Sequence, residues 1–428
     1  MAHAPGPEES LTMRLLVLTP HLRPDTAPTG EVVSAIVDGL TGRGHDVHVL
    51  TSLPWYRDHR IADGWRGRPV RRGHYGEATV IRLHPFPTEK GDVERSNLVG
   101  RALGFLGLTG LATLVGVLKR GPFDGVVAIS PPLTFGLAGW ILARRHRCPL
   151  VFNVQDVFPD VAVEVGALRS ARAIRFFRWL ERATYRRSDA VTVLSDDLAV
   201  NVRAKVGSGD RPLVRVVPNF VDVEAVRPLD RATGYRTELG LGDRTVVMYA
   251  GNLGHSQSLD LVVEAARRHR DRDDLVYVVN GGGIRFDDLV EAARDLPNLV
   301  VVGYQPIERV PEVLATADIH LVLLRAGLAA SSVPSKTYSV LAAGRPVVAS
   351  IDEGSEVARI LDEAGAGLSV PPDDADTLVP VIERLVDDPA GRRAMGDRGR
   401  RWAEAWRSPD SVAGTYTELV VELAGRHG

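Results

Sequence analysis

Lys336 stands where a lysine is electrostatically out of place. The run PSKTYSV at 334–340 reads as a helix start prepared by Ser331, Ser332, Pro334 and Ser335. A cation in the first turn opposes the helix dipole. An anionic phosphate held between the ammonium and amide donors would reverse that sign. Lys336 is therefore a candidate phosphate ligand, with a solvated surface lysine as the alternative. Arg325, at the end of the preceding strand-like run, could reach the same anion. Two glycine-rich segments would complete such a site. The first, Gly251, Asn252, Leu253, Gly254, His255, Ser256, Gln257, precedes a helix and suits a pyrophosphate cradle, or else a glycine turn with a capped helix. The second, Asn280, Gly281, Gly282, Gly283, is costly to order, which close backbone contact with a nucleotide would explain; a flexible connector is the other reading.

Weaker candidates lie in other loops. Gly30 closes a loop after the first strand-like run and opens a helix, without the spaced glycines of a dinucleotide fingerprint. Asp352, Glu353, Gly354, Ser355 and Glu356 open a later helix, where the acids either hold sugar or ribose hydroxyls or cap that helix. Asp156 follows an apolar run in the first half and would face an acceptor hydroxyl, or serve only the turn. His21, His45 and His255 show no metal-ligand spacing, so no metal site is expected.

The elements that must position these loops alternate. Short β-branched runs near 15–19, 47–51, 80–83, 125–130, 150–153, 190–194 and 214–217 are separated by helical periods such as 30–41 and 169–187. A polar stretch at 221–243 reads as a linker. The rhythm restarts with strands near 245–250, 275–280, 299–302, 319–323 and 346–350. Helices are expected at 259–270, 286–295, 307–316 and 336–343, then 390–406 and 411–424. This predicts an α/β protein of two tandem doubly wound sheets facing a cleft, with ligands beyond the C-terminal strand ends.

Length and composition agree. A chain of 428 residues exceeds what one core usually fills. The formal net charge of −2 offers no global field for nucleic acid. One cysteine, Cys148, excludes an internal disulfide and reads as a buried hydrophobe. Residues 1–12 lack the pattern of a secretory signal and read as disordered; a cytoplasmic location is expected. The segment 98–118 is apolar enough to suggest a membrane, but its glycines and its place in the alternation favour a crossover helix. If it surfaces with Arg101, Lys119 and Arg120, peripheral association with a membrane would follow.

Together these segments resemble the family 4 glycosyltransferases of the GT-B fold, especially the branch of O-antigen, capsule and exopolysaccharide synthesis. The resemblance rests on RGHDVHVLT at 43–51, VPNFVD at 217–222, YAGNLGHSQSLD at 249–260 and PSKTYSVLAAGRPVVAS at 334–350, and spans about residues 13–406. It implies an acceptor-side domain at 13–222, a nucleotide-sugar domain at 223–407 and a helix at 408–428 packing back on the first. It also implies metal-independent transfer of a hexose or N-acetylhexosamine, with retained anomeric configuration, onto a lipid-linked or glycan acceptor. Carried over by position, Gly251, Asn252, Gly254 and Lys336 would contact the diphosphate. Gly281 to Gly283 and the turn Gly303, Tyr304, Gln305 would line the nucleotide. Gly30 would approach the donor across the cleft, and Asp156 would face the acceptor. The family's two glutamates, eight positions apart, are Ser331 and Ser339 here. That departure keeps open a non-catalytic partner of another transferase; a nucleotide-sugar 2-epimerase, a different reaction on the same fold, is a further alternative.

Overall fold

The computed structural model describes residues 12–56, 60–86, 98–207, 209 and 211–426; the N-terminal stretch read as disordered lies outside them, apart from Thr12. Eight strands form the first sheet: β1 (Arg14–Leu18), β2 (Asp46–Ser52), β3 (Val70–Tyr75), β4 (Ala78–Leu83), β5 (Gly125–Ser130), β6 (Leu150–Val154), β7 (Ala190–Val193) and β8 (Leu213–Val216). Their order is 3-4-2-1-5-6-7-8, parallel except for the antiparallel edge strand β3. Six strands form the second: β9 (Thr245–Asn252), β10 (Leu275–Gly282), β11 (Leu299–Val302), β12 (Ile319–Leu323), β13 (Val347–Ser350) and β14 (Gly367–Val370), ordered 11-10-9-12-13-14 and all parallel. Chain order reverses between β1 and β5 in one sheet and between β9 and β12 in the other, which opens a crevice at each central strand end.

Burial explains why these runs are strands. Leu15, Leu16, Val17 and Leu18 are all buried, as are Val246 to Tyr249 and Leu275 to Val279. A strand covered by helices on both faces needs such continuous apolarity. Strand β3 was not expected, because Val70, Arg71, Arg72, Gly73, His74 and Tyr75 carry no apolar alternation; antiparallel pairing with β4 holds it at the rim. The stretch read as a linker is partly folded, since a helix at Gly234–Glu238 buries Tyr235 against Val246, Met248 and Val276 of the second domain.

Two C-terminal helices tie the halves together. The helix Pro389–Ala405 packs on the second domain, whereas Pro409–Gly425 lies against the first-domain helix Pro28–Gly42. The crossing is anchored at Trp406, whose indole N–H donates to the Asn219 carbonyl at 2.9 Å. Beyond it, the buried Tyr416 hydroxyl accepts from Asn153 Nδ2 at 2.7 Å and lies 3.3 Å from Thr192 Oγ1, on strands β6 and β7. Gly39 admits the partner helix closely: a Cβ there would fall 2.7 Å from that of Ala413. Removing only the hydroxyl with Tyr416→Phe should cost about 1 kcal/mol. Removing the ring with Tyr416→Ala should cost about 3–5 kcal/mol. Urea unfolding of the two variants beside the parent chain measures both.

Candidate functional site

Strands β9 and β10 run two residues further than their apolar runs suggest, and this builds the site. Gly281 pairs with Gly251 and Gly282 with Asn252, so these glycines end two adjacent strands instead of forming a loose loop. Strand β10 has no room for side chains there. A Cβ on Gly281 would lie 1.9 Å from the Gly251 carbonyl oxygen, and one on Gly282 would lie 2.9 Å from the Tyr304 ring. Gly251 at φ +143° and Gly283 at φ +146° adopt backbone that L side chains rarely enter. The loop beyond β9 is fixed by Gln257, whose side-chain carbonyl accepts from the Gly254 N–H at 3.0 Å. Asn252 is exposed at its rim.

Lys336 opens the helix Lys336–Ala342 and sends its ammonium into this corner. Its Nζ sits 3.6 Å from the centre of the buried Tyr249 ring and would lie 3.1 Å from a Cβ on Gly251. The residue is half-exposed, but Nζ is buried, and among the described residues no acceptor lies within hydrogen-bonding reach of it. Burial lowers its pKa to about 7. The ring face supplies the one attractive contact. Tyr249 is itself held, its hydroxyl donating to the Asn252 carbonyl at 2.7 Å. The lysine's helix is braced from behind, because Tyr338 stacks on Trp402 and Trp406.

The other expected residues spread around this centre. Tyr304, after Gly303, packs on Gly282; burial and the nearby Tyr56 of the first domain raise its phenol. Arg325 donates its backbone N–H to Ser256 and lies 4.0 Å from Asp260, with its Nε buried and unpartnered among the described residues. Gly30 is packed against His21 and Asp25 of its own loop. Ser335 is exposed and makes no cap bond. Gly354 takes φ +68° in a turn, and Glu356 pairs with Arg359 at 2.8 Å while its N–H donates to Asp197 of the first domain. Among the described residues, neither makes a hydrogen bond or ion pair with the lysine corner.

Ser331 and Ser332, read as helix-start residues, instead clasp the two domains. Ser332 donates to Asp156 at 2.6 Å and Ser331 to Glu164 at 2.8 Å, while the Val157 N–H donates to the Ser331 carbonyl at 2.8 Å. Burial raises the Asp156 carboxyl above the usual range. Proximity of the second domain decides this use, which spacing along the chain does not reveal.

A pair not expected from the sequence stands after β1. His21 Nδ1 and Asp25 meet at 2.6 Å, both buried, and the Asp25 carboxylate also accepts the Trp55 and Tyr56 N–H groups at 3.3 and 3.0 Å. The pair lies in a loop after a central strand, where spacing along the chain gives no periodic signal of contact. No group of three or more metal-ligating side chains converges among the described residues.

Two families match, and between them they take in most of the chain: "Glycosyl transferase 4-like domain" over residues 29–219 and "Glycosyl transferases group 1" over residues 244–388. A protein of Escherichia coli K12 named for glycosyl transfer in colanic acid biosynthesis is 25% identical over 87% of this chain and 92% of its own. Sucrose-phosphate synthase from Thermosynechococcus elongatus superposes with a TM-score of 0.75 at 19% identity, covering 97% of this chain and 100% of that one. HepE from Anabaena, solved with UDP-glucose, superposes at 0.70 with 15% identity, over 96% and 100%.

The lysine makes a pH-dependent forecast. The folded amine is depressed from 10.5 to about 7, so between those values the unfolded chain binds more protons. Unfolding free energy should therefore rise with pH across that window, by on the order of 1 kcal/mol for each unit crossed. Lys336→Met should flatten the slope and raise the unfolding midpoint at pH 7. Urea titrations at pH 7, 8 and 9, taken as measurement conditions spanning the window, test both.

Proposed function

The chain belongs to the family 4 glycosyltransferases of the GT-B fold, and we propose on that premise that it moves a sugar from a nucleotide-diphosphate donor onto a lipid-linked or glycan acceptor in cell-surface glycan synthesis. The observation that carries the reading is the buried Lys336 ammonium, without a hydrogen-bond acceptor among the described residues, beside the glycine ends of β9 and β10. A diphosphate seated there would supply the missing counter-charge and restore the lysine's proton. The name of the Escherichia coli relative supports a polysaccharide product, and the HepE complex makes UDP-glucose the first donor to try.

In the proposed reaction the bond from the anomeric carbon to the diphosphate breaks as the acceptor oxygen bonds to that carbon. The acceptor's proton passes to the departing phosphate oxygen, and configuration is retained. Lys336 and the backbone N–H groups of the glycine loop stabilise the charge that develops on the leaving group. No metal is required in this scheme. His21, oriented by Asp25, would hold the acceptor hydroxyl from the first domain.

A thermal-shift series with UDP, GDP, ADP and dTDP, each with its sugar conjugates, tests the donor site. A nucleotide at about a hundred times its Kd should add about 2.7 kcal/mol of stability. That is a rise of several degrees, selective for one base and absent in Lys336→Ala. No shift with any nucleotide would favour a non-catalytic partner. Product released without acceptor, as a sugar epimer, would favour the epimerase. With donor and acceptor in hand, proton NMR of the product reads the anomeric configuration, and inversion would refute retention. His21→Ala should lower turnover by about tenfold to a hundredfold and leave the nucleotide-induced shift unchanged.

A further inference from the structure

We propose that the outer face of the helix Ala171–Tyr185 docks on an anionic lipid surface. The helix buries Leu180, Glu181, Thr184 and Tyr185 and turns Phe176 and Trp179 outward, 54% and 59% exposed. Their rings lie 6.1 Å apart, one helical turn from each other. Arg172, Arg175, Arg178, Arg182, Arg186 and Arg187 are all exposed around them. Among the described residues, no carboxylate pairs with any of these six arginines. The acid on this helix, Glu181, points inward, where Lys205 neutralises it at 2.6 Å.

Many exposed arginines elsewhere in the chain are paired with acids. On the second domain Arg267 and Arg268 pair with Glu264, Arg285 with Asp260 and Asp288, and Arg309 with Glu312. An exposed aromatic pair ringed by uncompensated guanidiniums is the pattern of a helix lying in a bilayer interface, with rings among the acyl chains and cations among anionic headgroups. The apolar surface continues sideways. The helix Thr134–His146 contacts both the arginine helix and the helix Leu98–Leu118, and exposes Ile141; the latter helix exposes Leu103, Leu106, Leu114 and Leu118. No described helix is long and apolar enough to cross a membrane, so this face would rest on one. Lys119, expected in such a patch, turns inward to His48 at 2.6 Å, and the Arg101 side chain lies outside the described residues. On its inner side the same helix meets the segment after β6, where Phe158, two residues beyond Asp156, packs on Phe177.

The proposal is independent of donor binding, and vesicle sedimentation of the full chain tests it. Phosphatidylcholine vesicles are compared with and without phosphatidylglycerol at low and high salt. The parent chain should sediment with the anionic vesicles at low salt and be released by salt. Combined Arg172→Gln, Arg175→Gln, Arg178→Gln and Arg182→Gln should lower partitioning by at least about a hundredfold. Phe176→Ser with Trp179→Ser should weaken it while the unfolding midpoint stays unchanged. A parent chain that stays in the supernatant, or that binds neutral and anionic vesicles equally, would overturn the proposal. So would a dimer in size-exclusion with light scattering that Phe176→Ser and Trp179→Ser dissociate. The nucleotide-induced thermal shift, run in parallel, fails or succeeds separately and tells loss of this surface from loss of the donor reading.

Discussion

An ammonium group held inside a protein with no hydrogen-bond acceptor is paid for by the rest of the structure. Taking an ion out of water costs several kcal/mol even after the surroundings relax. A desolvated cation resting on an aromatic face recovers on the order of 2 kcal/mol. For Lys336 the ring of Tyr249 is that face. The balance is unfavourable, and the glycine ends of β9 and β10 explain why the corner is kept open, since a side chain on Gly281 would strike the neighbouring strand. Much of the surrounding architecture serves to hold this deficit in place. Tyr338, Trp402 and Trp406 brace the lysine's helix, and Trp406 is also where the chain crosses back to the first domain. An anion is the one kind of ligand that turns the deficit into affinity.

The domain clasp follows the same electrostatic logic. The family resemblance places a glutamate at position 331, where this chain has serine. Ser331 sits 2.8 Å from Glu164 of the first domain. A carboxylate at 331 would face a second carboxylate across that gap, and two like charges so close disfavour ionisation of both. Serine donates where glutamate would repel. The next residue repeats the arrangement with Asp156. The departure from the family pattern is therefore matched by a compensating acid on the opposite domain, which is a structural reason to read variation rather than decay.

Most of the fold was legible because buried parallel strands require unbroken apolar runs, and Leu15 to Leu18 or Leu275 to Val279 satisfy that requirement without ambiguity. The glycine segments and Lys336 were legible as candidates for a related reason: each breaks a local rule at some cost. What was not legible depended on neighbours distant in sequence. Nothing local shows that Lys336 lies over Tyr249, that Ser331 and Ser332 meet Glu164 and Asp156, or that Lys119 folds in on His48. Strand β3 escaped because an exposed edge strand needs partners, not apolar alternation. The pairing of His21 with Asp25 was not legible, since a loop has no fixed period to bring i and i+4 together.

A net charge of −2 was a sound reason to discount a global positive field, yet it is a sum over unlike surfaces. On the second domain Arg267, Arg285 and Arg268 are paired with acids at i−3, i+3 and i−4, which weakens the local field around them. The helix at Ala171–Tyr185 has its acid turned inward and its arginines turned out. Fields fall off within roughly 8–10 Å at physiological salt. A surface partner therefore feels that helix and not the distant acids that balance it in the total. Charge counted along a chain constrains partners only after the fold has decided which charges share a face. Here the fold gathers six exposed arginines, without carboxylate partners among the described residues, on one helix of the first domain, and buries the Lys336 ammonium beside the glycine strand ends of the second; the first arrangement suits a broad anionic surface and the second a small anionic ligand.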